Sequence, residues 1–301
     1  LKIKNTAASG VFLVLLGALG FSTKSIFVKS AYQVSGQLDA ISLLALRMLF
    51  SLPIFLLIGI WQKKKHAFDQ SLSIKTGIQL FALGFAGYYL ASYLDFKGLQ
   101  YISAGLERVL LFLYPTFVVL FSALLHRRWI KTREVIALLF CYGGLVCVFA
   151  DNLTVKTPDW LFGSLLVLGS AVVFAGFTMG SGAMVKTIGS TRFTTYTMSI
   201  AGLLVLLHFS LTSGIHLLDF PIKLYWLVLL MAIFSTVLPA YAMNAGILRI
   251  GASSASIISS IGPIVTLLLA YVYLSETISW LQLSGTLLVI IGVYVVSRPG
   301  N

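Results

Sequence analysis

Ten runs of about 20 mostly apolar residues alternate with short polar connections: 7–28, 40–61, 77–96, 104–125, 134–150, 161–185, 193–212, 224–247, 254–274 and 280–297. A helix rises about 1.5 Å per residue and the hydrocarbon core of a bilayer is about 30 Å thick, so each run is long enough to cross it. Charged residues make up only 10% of the chain, against about 25% in soluble domains, and the mean hydropathy is +0.98. The expected fold is an all-α membrane protein of ten transmembrane helices. No connection is long enough to hold a second domain. The first run lacks a clear small-residue cleavage site, so no cleaved signal peptide is expected.

A formal net charge of +12 would suit nucleic acid if the bases were clustered on one polar surface, but they lie mostly in the connections. Lys2 and Lys4 precede the first run; Lys63, Lys64, Lys65 and Lys75 bracket the second connection. Arg127, Arg128, Lys131 and Arg133 fill the fourth, Lys186 and Arg192 the sixth, Arg249 the eighth, and Arg298 follows the last run. The odd connections instead carry Asp39, Asp151, Asp159, Asp219 and Glu276, with few bases. Cytoplasmic loops are the basic ones, so both termini are expected in the cytoplasm of a bacterial inner membrane.

The chain also repeats itself. A shift of 148 residues (246 − 98) lays Gly98 on Gly246, Ile102 on Ile250, Ala104 on Ala252 and Pro115 on Pro263. The same shift matches Leu120 with Leu268, Ile130 with Ile278 and Gly144 with Gly292. The two repeats are read as 1–152 and 153–301, with five runs each. Five is odd, so the second half crosses the membrane in the opposite sense to the first. Inverted repeats are a transporter architecture with the substrate site between the halves.

Several segments carry a resemblance. They are GALGFSTKSIFVK in the first run, ALRMLF in the second and LDFKGLQYISAGLERVLLFLYPTFVVL across the third and fourth. The second half adds NAGILRIGASSASIISSIGPIVTLLLAYVYLSETIS and GTLLVIIGVYVV. Over essentially its whole length the chain resembles the EamA type of the drug/metabolite transporter superfamily. The resemblance implies ten helices, a central cavity between two five-helix halves, and export of small metabolites, amino acids or xenobiotics.

The stretch GLQYISAGLERVLLFLYP, residues 98–115, holds the chemistry of greatest interest. Glu107 and Arg108 stand one turn inside the fourth run, where a charge normally faces a cavity or a partner. Depth along each helix brings Lys24, Arg47 and Asp95 to the same level, in the outer half of the first repeat. Three bases and two acids would favour an anionic group such as a substrate carboxylate. A self-satisfied ion network that only fixes packing is the alternative.

Helical spacing puts Gly10, Gly17, Gly20 and Lys24 on one face of the first run. Phe81, Phe85, Tyr88, Ser92 and Asp95 share a face of the third, and Glu107, Leu111 and Tyr114 a face of the fourth. Tyr88 and Tyr114 offer a ring and a hydroxyl to an amphipathic ligand, or pack against other helices. In the second half, Pro239, Tyr241 and Asn244 lie in the eighth run, and Ser253, Ser254, Ser256, Ser259 and Ser260 crowd the ninth. Tyr241 and Asn244 join the candidate binding residues. Pro115 and Pro263 are expected hinges, since proline interrupts helix hydrogen bonding. Glu107 is the acid expected to couple transport to protons.

The sequence shows no GxSxG, HExxH, CxxC or P-loop pattern. His66, His126, His208 and His216 have no ligand spacing, and Cys141 and Cys147 point about 120° apart on one helix. No cofactor, metal or catalytic residue is expected. The expected partners are a small-molecule substrate, the lipid bilayer and protons, with the protein a monomer or weak dimer. The competing reading is a lipid-handling protein of the flippase type or an intramembrane enzyme.

Overall fold

The structure is a computed structural model. It describes residues 2–64, 72–125, 127, 129, 132–154, 159–212, 217–251, 255, 258, 259 and 261–297. Among these the secondary structure is helical, with no strand. In chain order the helices are α1 (Lys2–Val34), α2 (Ala40–Lys64), α3 (Ile74–Leu83) and, after a π-helical turn over Gly84–Leu90, α4 (Ala91–Gly98). Then come α5 (Ala104–Leu111), α6 (Tyr114–Leu125), α7 (Thr132–Thr154), α8 (Trp160–Ile188) and α9 (Ser190–Thr212). Next is α10 (Ile222–Ala232), followed by a second π-helical turn over Ile233–Val237 and α11 (Leu238–Ile250). The last two are α12 (Gly262–Leu274) and α13 (Trp280–Ser297).

Six helical segments are long and apolar enough to cross a membrane: Ala8–Val34, Ala40–Lys64, Ala104–Leu125, Trp160–Ile188, Ser190–Thr212 and Ile222–Ile250. Shorter apolar helices cover Glu134–Val148, Gly262–Leu274 and Trp280–Val295. Large apolar side chains such as Leu57, Leu139, Val146, Leu203 and Leu268 are exposed on the outside of the bundle. So much outward apolar surface suits a lipid solvent rather than water.

Among the described residues, four of the ten runs are not uniform helices. The third and eighth each contain a π-turn, seen in the bonds from Ala91 N–H to the Ala86 carbonyl and from Leu238 N–H to the Ile233 carbonyl. The fourth breaks at Phe112–Leu113, and α12 begins only at Gly262 within the ninth. These interruptions obey the repeat. The first π-turn spans 84–90 and the second 233–237, which lies inside the first range once it is shifted by 148. Arg127 (φ 47°) and Ser275 (φ 55°), also 148 residues apart, both take the left-handed conformation beyond the ends of α6 and α12.

Pro115 and Pro263 sit in the first turn of α6 and α12 rather than inside a continuous helix. The missing N–H costs little there. Both prolines therefore stand beside an interruption rather than in mid-helix. In the first repeat the interruption precedes the proline, where Leu113 N–H bonds the Leu110 carbonyl in a tighter turn.

The halves pack by exchanging helices. Gly10, Gly17 and Gly20 of α1 lie against Ile250, Met243 and Pro239, so α1 and α11 run antiparallel. The image of this contact joins α4 to α8: Gly98 rests on the Gly163 carbonyl and Val167, just as Gly246 rests on the Gly10 carbonyl and Val14. The glycine face of the first run thus serves close helix packing, with only Lys24 going on to a polar site. Helices α7 and α13, equivalent by the repeat, also run antiparallel. Gly144 meets the Gly285 carbonyl, and Gly292 meets Cys141 Sγ and the Ala137 carbonyl. Without a hydrophobic drive between helices in lipid, such small-residue contacts supply dispersion through close backbone approach.

Candidate functional site

A cavity of about 540 Å³ lies between the halves, bounded by residues from both. On one side it reaches Ser122 and Ile247, each three residues from the end of its helix, α6 or α11. Toward the opposite face, where α2 and α5 begin and α4 ends, it meets Lys24, Arg47, Asp95 and Arg108. Tyr88, Tyr114, Pro115 and Asn244 complete the sequence candidates on its wall.

The charged group is tightly built. Lys24 Nζ stands 2.6 Å from Asp95 Oδ2 and 3.4 Å from Glu107 Oε1, so one ammonium joins two carboxylates from α4 and α5. Ser25 Oγ donates to Glu107 Oε2 at 2.5 Å. The Arg47 guanidinium lies 4.7 Å above the centre of the Phe96 ring. Arg108 packs against Gly262, where a Cβ would sit 2.8 Å from its Nη2. Glycine at 262 therefore leaves the room that the guanidinium occupies.

Two candidates lie elsewhere than expected. Glu107 is fully buried and off the cavity wall, whereas Arg108 and Leu111 line it. Adjacent helical residues point about 100° apart, so only one of the pair can face the cavity. Past the break, Tyr114 returns to the wall. Tyr241 is also off the wall, with its hydroxyl 2.7 Å from Thr195 Oγ1 and its ring packed on Phe55. The expected stripe on the third run divides at the π-turn. Phe81 and Phe85 are exposed, while Tyr88, Ser92 and Asp95 face the cavity. An extra residue per turn rotates everything beyond it. Of the serines expected in the ninth run, Ser259 lines the cavity; Ser253, Ser254, Ser256 and Ser260 lie outside the described residues.

Sequence reasoning missed other parts. Phe174 and Phe177 of α8 line the cavity and pack with Tyr114 and Tyr88. Their three-residue spacing was the available signal. Asn244 Nδ2 donates to Thr194 Oγ1 at 2.7 Å, a neutral polar contact between α11 and α9. Most distant is Glu276, between α12 and α13. Its Oε1 accepts from Ala104 N–H at 2.8 Å and its Oε2 from Gly105 N–H at 3.2 Å. Ser103 Oγ accepts from Leu106 N–H at 3.1 Å. The free N–H groups at the start of α5 are thus capped partly from the other repeat.

A helical bundle with lipid-suited outer surface, a central cavity and charges confined to one end of it defines the class of polytopic membrane transporters. The EamA-like transporter family matches residues 8–150 and again 161–298, once in each half, and the chain belongs to that family. Among curated relatives it is 32% identical over 293 residues to the uncharacterized transporter YcbK of Bacillus subtilis, covering 94% of this chain and 91% of that one. The uncharacterized transporter YyaM of the same organism is 26% identical over 290 residues, with 95% and 93% covered. A solved crystal structure at 17% identity superposes with a TM-score of 0.67 over 96% of this chain and 97% of its own. That likeness concerns the fold alone. The protein is an integral membrane transporter.

Proposed function

We propose that the protein is a secondary transporter that exports small, amino-acid-like or xenobiotic metabolites across the inner membrane by alternating access. Its ten helices form two inverted five-helix repeats, with both termini cytoplasmic. The observation that carries this reading is the cavity's asymmetry. At one face Lys24, Asp95, Glu107 and the Glu276 cap close it; at the other it reaches within three residues of the ends of α6 and α11. That second face carries Arg127, Lys186 and Arg249, so the described state opens toward the cytoplasm under the positive-inside rule. Antiparallel packing of the equivalent helices α7 and α13 supports the inverted relation. The volume of about 540 Å³ suits a small organic ligand. The sequence has no P-loop, so the energy comes from a gradient. Protons are the coupling ion in this reading, taken up at Asp95, which the cavity reaches, rather than at Glu107.

The test joins binding to movement. Purified protein is screened for raised melting temperature against amino acids, nucleosides, organic acids and quaternary amines. Saturation at 100 Kd raises stability by about 2.7 kcal/mol. Compounds that stabilise should exchange across proteoliposomes in counterflow, and a pH gradient should drive their accumulation. Stabilising compounds that never cross would contradict transport. Accumulation indifferent to pH would remove the proton.

A further inference from the structure

The cations at the closed end of the cavity are not equivalent. Lys24 is held by two carboxylates, at 2.6 and 3.4 Å. Arg47 and Arg108 form no salt bridge among the described residues, and the Nε of each lacks a hydrogen-bond partner. Both side chains are more than nine-tenths buried, at 4% and 8% exposure, and both line the cavity. A guanidinium carries five donors and no acceptor, and it stays charged. Asp95 and Glu107 act on the two arginines only at longer range, and a buried guanidinium with no carboxylate in contact is costly, so two together mark a place where an anionic group is brought from outside.

The charge sum sets the ligand's valence in the state in which Asp95 is deprotonated and bridged to Lys24. Lys24, Arg47 and Arg108 against Asp95 and Glu107 then give 3 − 2 = +1. One negative charge neutralises the cluster, whereas a dianion would overshoot in a poorly screened site. The rest of the wall sets the body. Phe112, Tyr88, Phe174, Phe177, Leu111 and Met198 present rings and apolar chains. Asp95, the carboxylate on the wall, already has the Lys24 ammonium on its Oδ2 and only its Oδ1 without a partner, so the wall offers an anion two unbridged guanidinium groups and a cation one carboxylate that is already bridged.

We propose that the cavity binds a singly charged carboxylate on an apolar or aromatic body, with Arg108 as its anchor and Arg47 beside it. This rests on the transporter reading of the same cavity and names its substrate class. Gly262 belongs to the site, because a side chain there would displace the Arg108 guanidinium. Arg suits the role better than Lys, since its fork meets both oxygens of a carboxylate.

The test uses the purified full chain and matched probes: benzoate, 3-phenylpropionate and hexanoate, each with its amide and its amine. The expected result is a raised melting temperature with at least one carboxylate and none with the matched amide or amine. Arg108→Gln should weaken that binding by about tenfold or more, and Arg108→Lys should restore part of it. Three results overturn the proposal: no carboxylate stabilises the protein, an amide or amine matches its carboxylate, or Arg108→Gln binds as the wild type does. If Arg108→Gln does not fold, the wild-type comparison decides alone. Counterflow separates the two readings. Carboxylates that bind while no probe crosses contradict transport and leave the anion site standing. Amines that cross while carboxylates do not contradict the anion site and leave transport standing.

Discussion

Glu107 shows how a single residue's role turns on which way it faces. It is fully buried between Ser25 and Lys24 and does not touch the cavity, so its work is to hold α5 against α1. Glu107→Gln keeps the shape and an acceptor for Ser25 but removes the charge, and Lys24 retains Asp95. The expected cost is about 1–3 kcal/mol, below the cost of stranding a buried ion outright. It should appear as a lower melting temperature, with the surviving protein still transporting and still responding to pH. Unchanged stability would mean that Glu107 carries no structural load. Depth reckoning along the helices was enough to place Lys24, Arg47, Asp95, Glu107 and Arg108 at one level. It was not enough to choose between Glu107 and Arg108, because the choice depends on how α5 rotates against its neighbours, and that is a property of packing.

At the scale of elements, interruptions matter more than helices. The paired π-turns replace α-helical register at equivalent places and turn Tyr88 and Asp95 inward while Phe85 faces out. No proline marks the first of them, so apolar periodicity reads straight through. Pro115 and Pro263, the prolines the repeat singles out, lie just after a break or at a helix start. Glu276 supplies the element-scale prediction. Its carboxylate ties the start of α5 to the other repeat, and at its repeat equivalent stands Arg128, which has no acceptor to offer (276 − 148 = 128). Glu276→Ala should shift the equilibrium toward states open at that face by about 1 kcal/mol, or about fivefold. A cysteine at Ile26, buried against Ala104 and Ala270 in that seam, reports it in a background lacking Cys141 and Cys147. Its labelling by an impermeant maleimide should quicken by about that factor; an unchanged rate would remove the latch.

At the scale of the molecule, the repeat was the most legible feature of the chain. The 148-residue offset and five runs per half foretold antiparallel equivalents, and α7 with α13 shows that arrangement at Gly144, Gly285 and Gly292. The long-range contact that ties the start of α5 to the other repeat was illegible, because Glu276 and Ala104 are 172 residues apart in sequence and no local pattern joins them. The central claim is that the same cavity opens in turn to both sides of the membrane. Leu111, on the cavity wall beside Arg108, is replaced by cysteine in a background without Cys141 and Cys147. An impermeant maleimide is then applied to intact spheroplasts and, separately, to inside-out vesicles. Alternating access predicts labelling from both sides, with protection from both by any compound that stabilises the purified protein. Labelling from one side only, with or without such a compound, would contradict it.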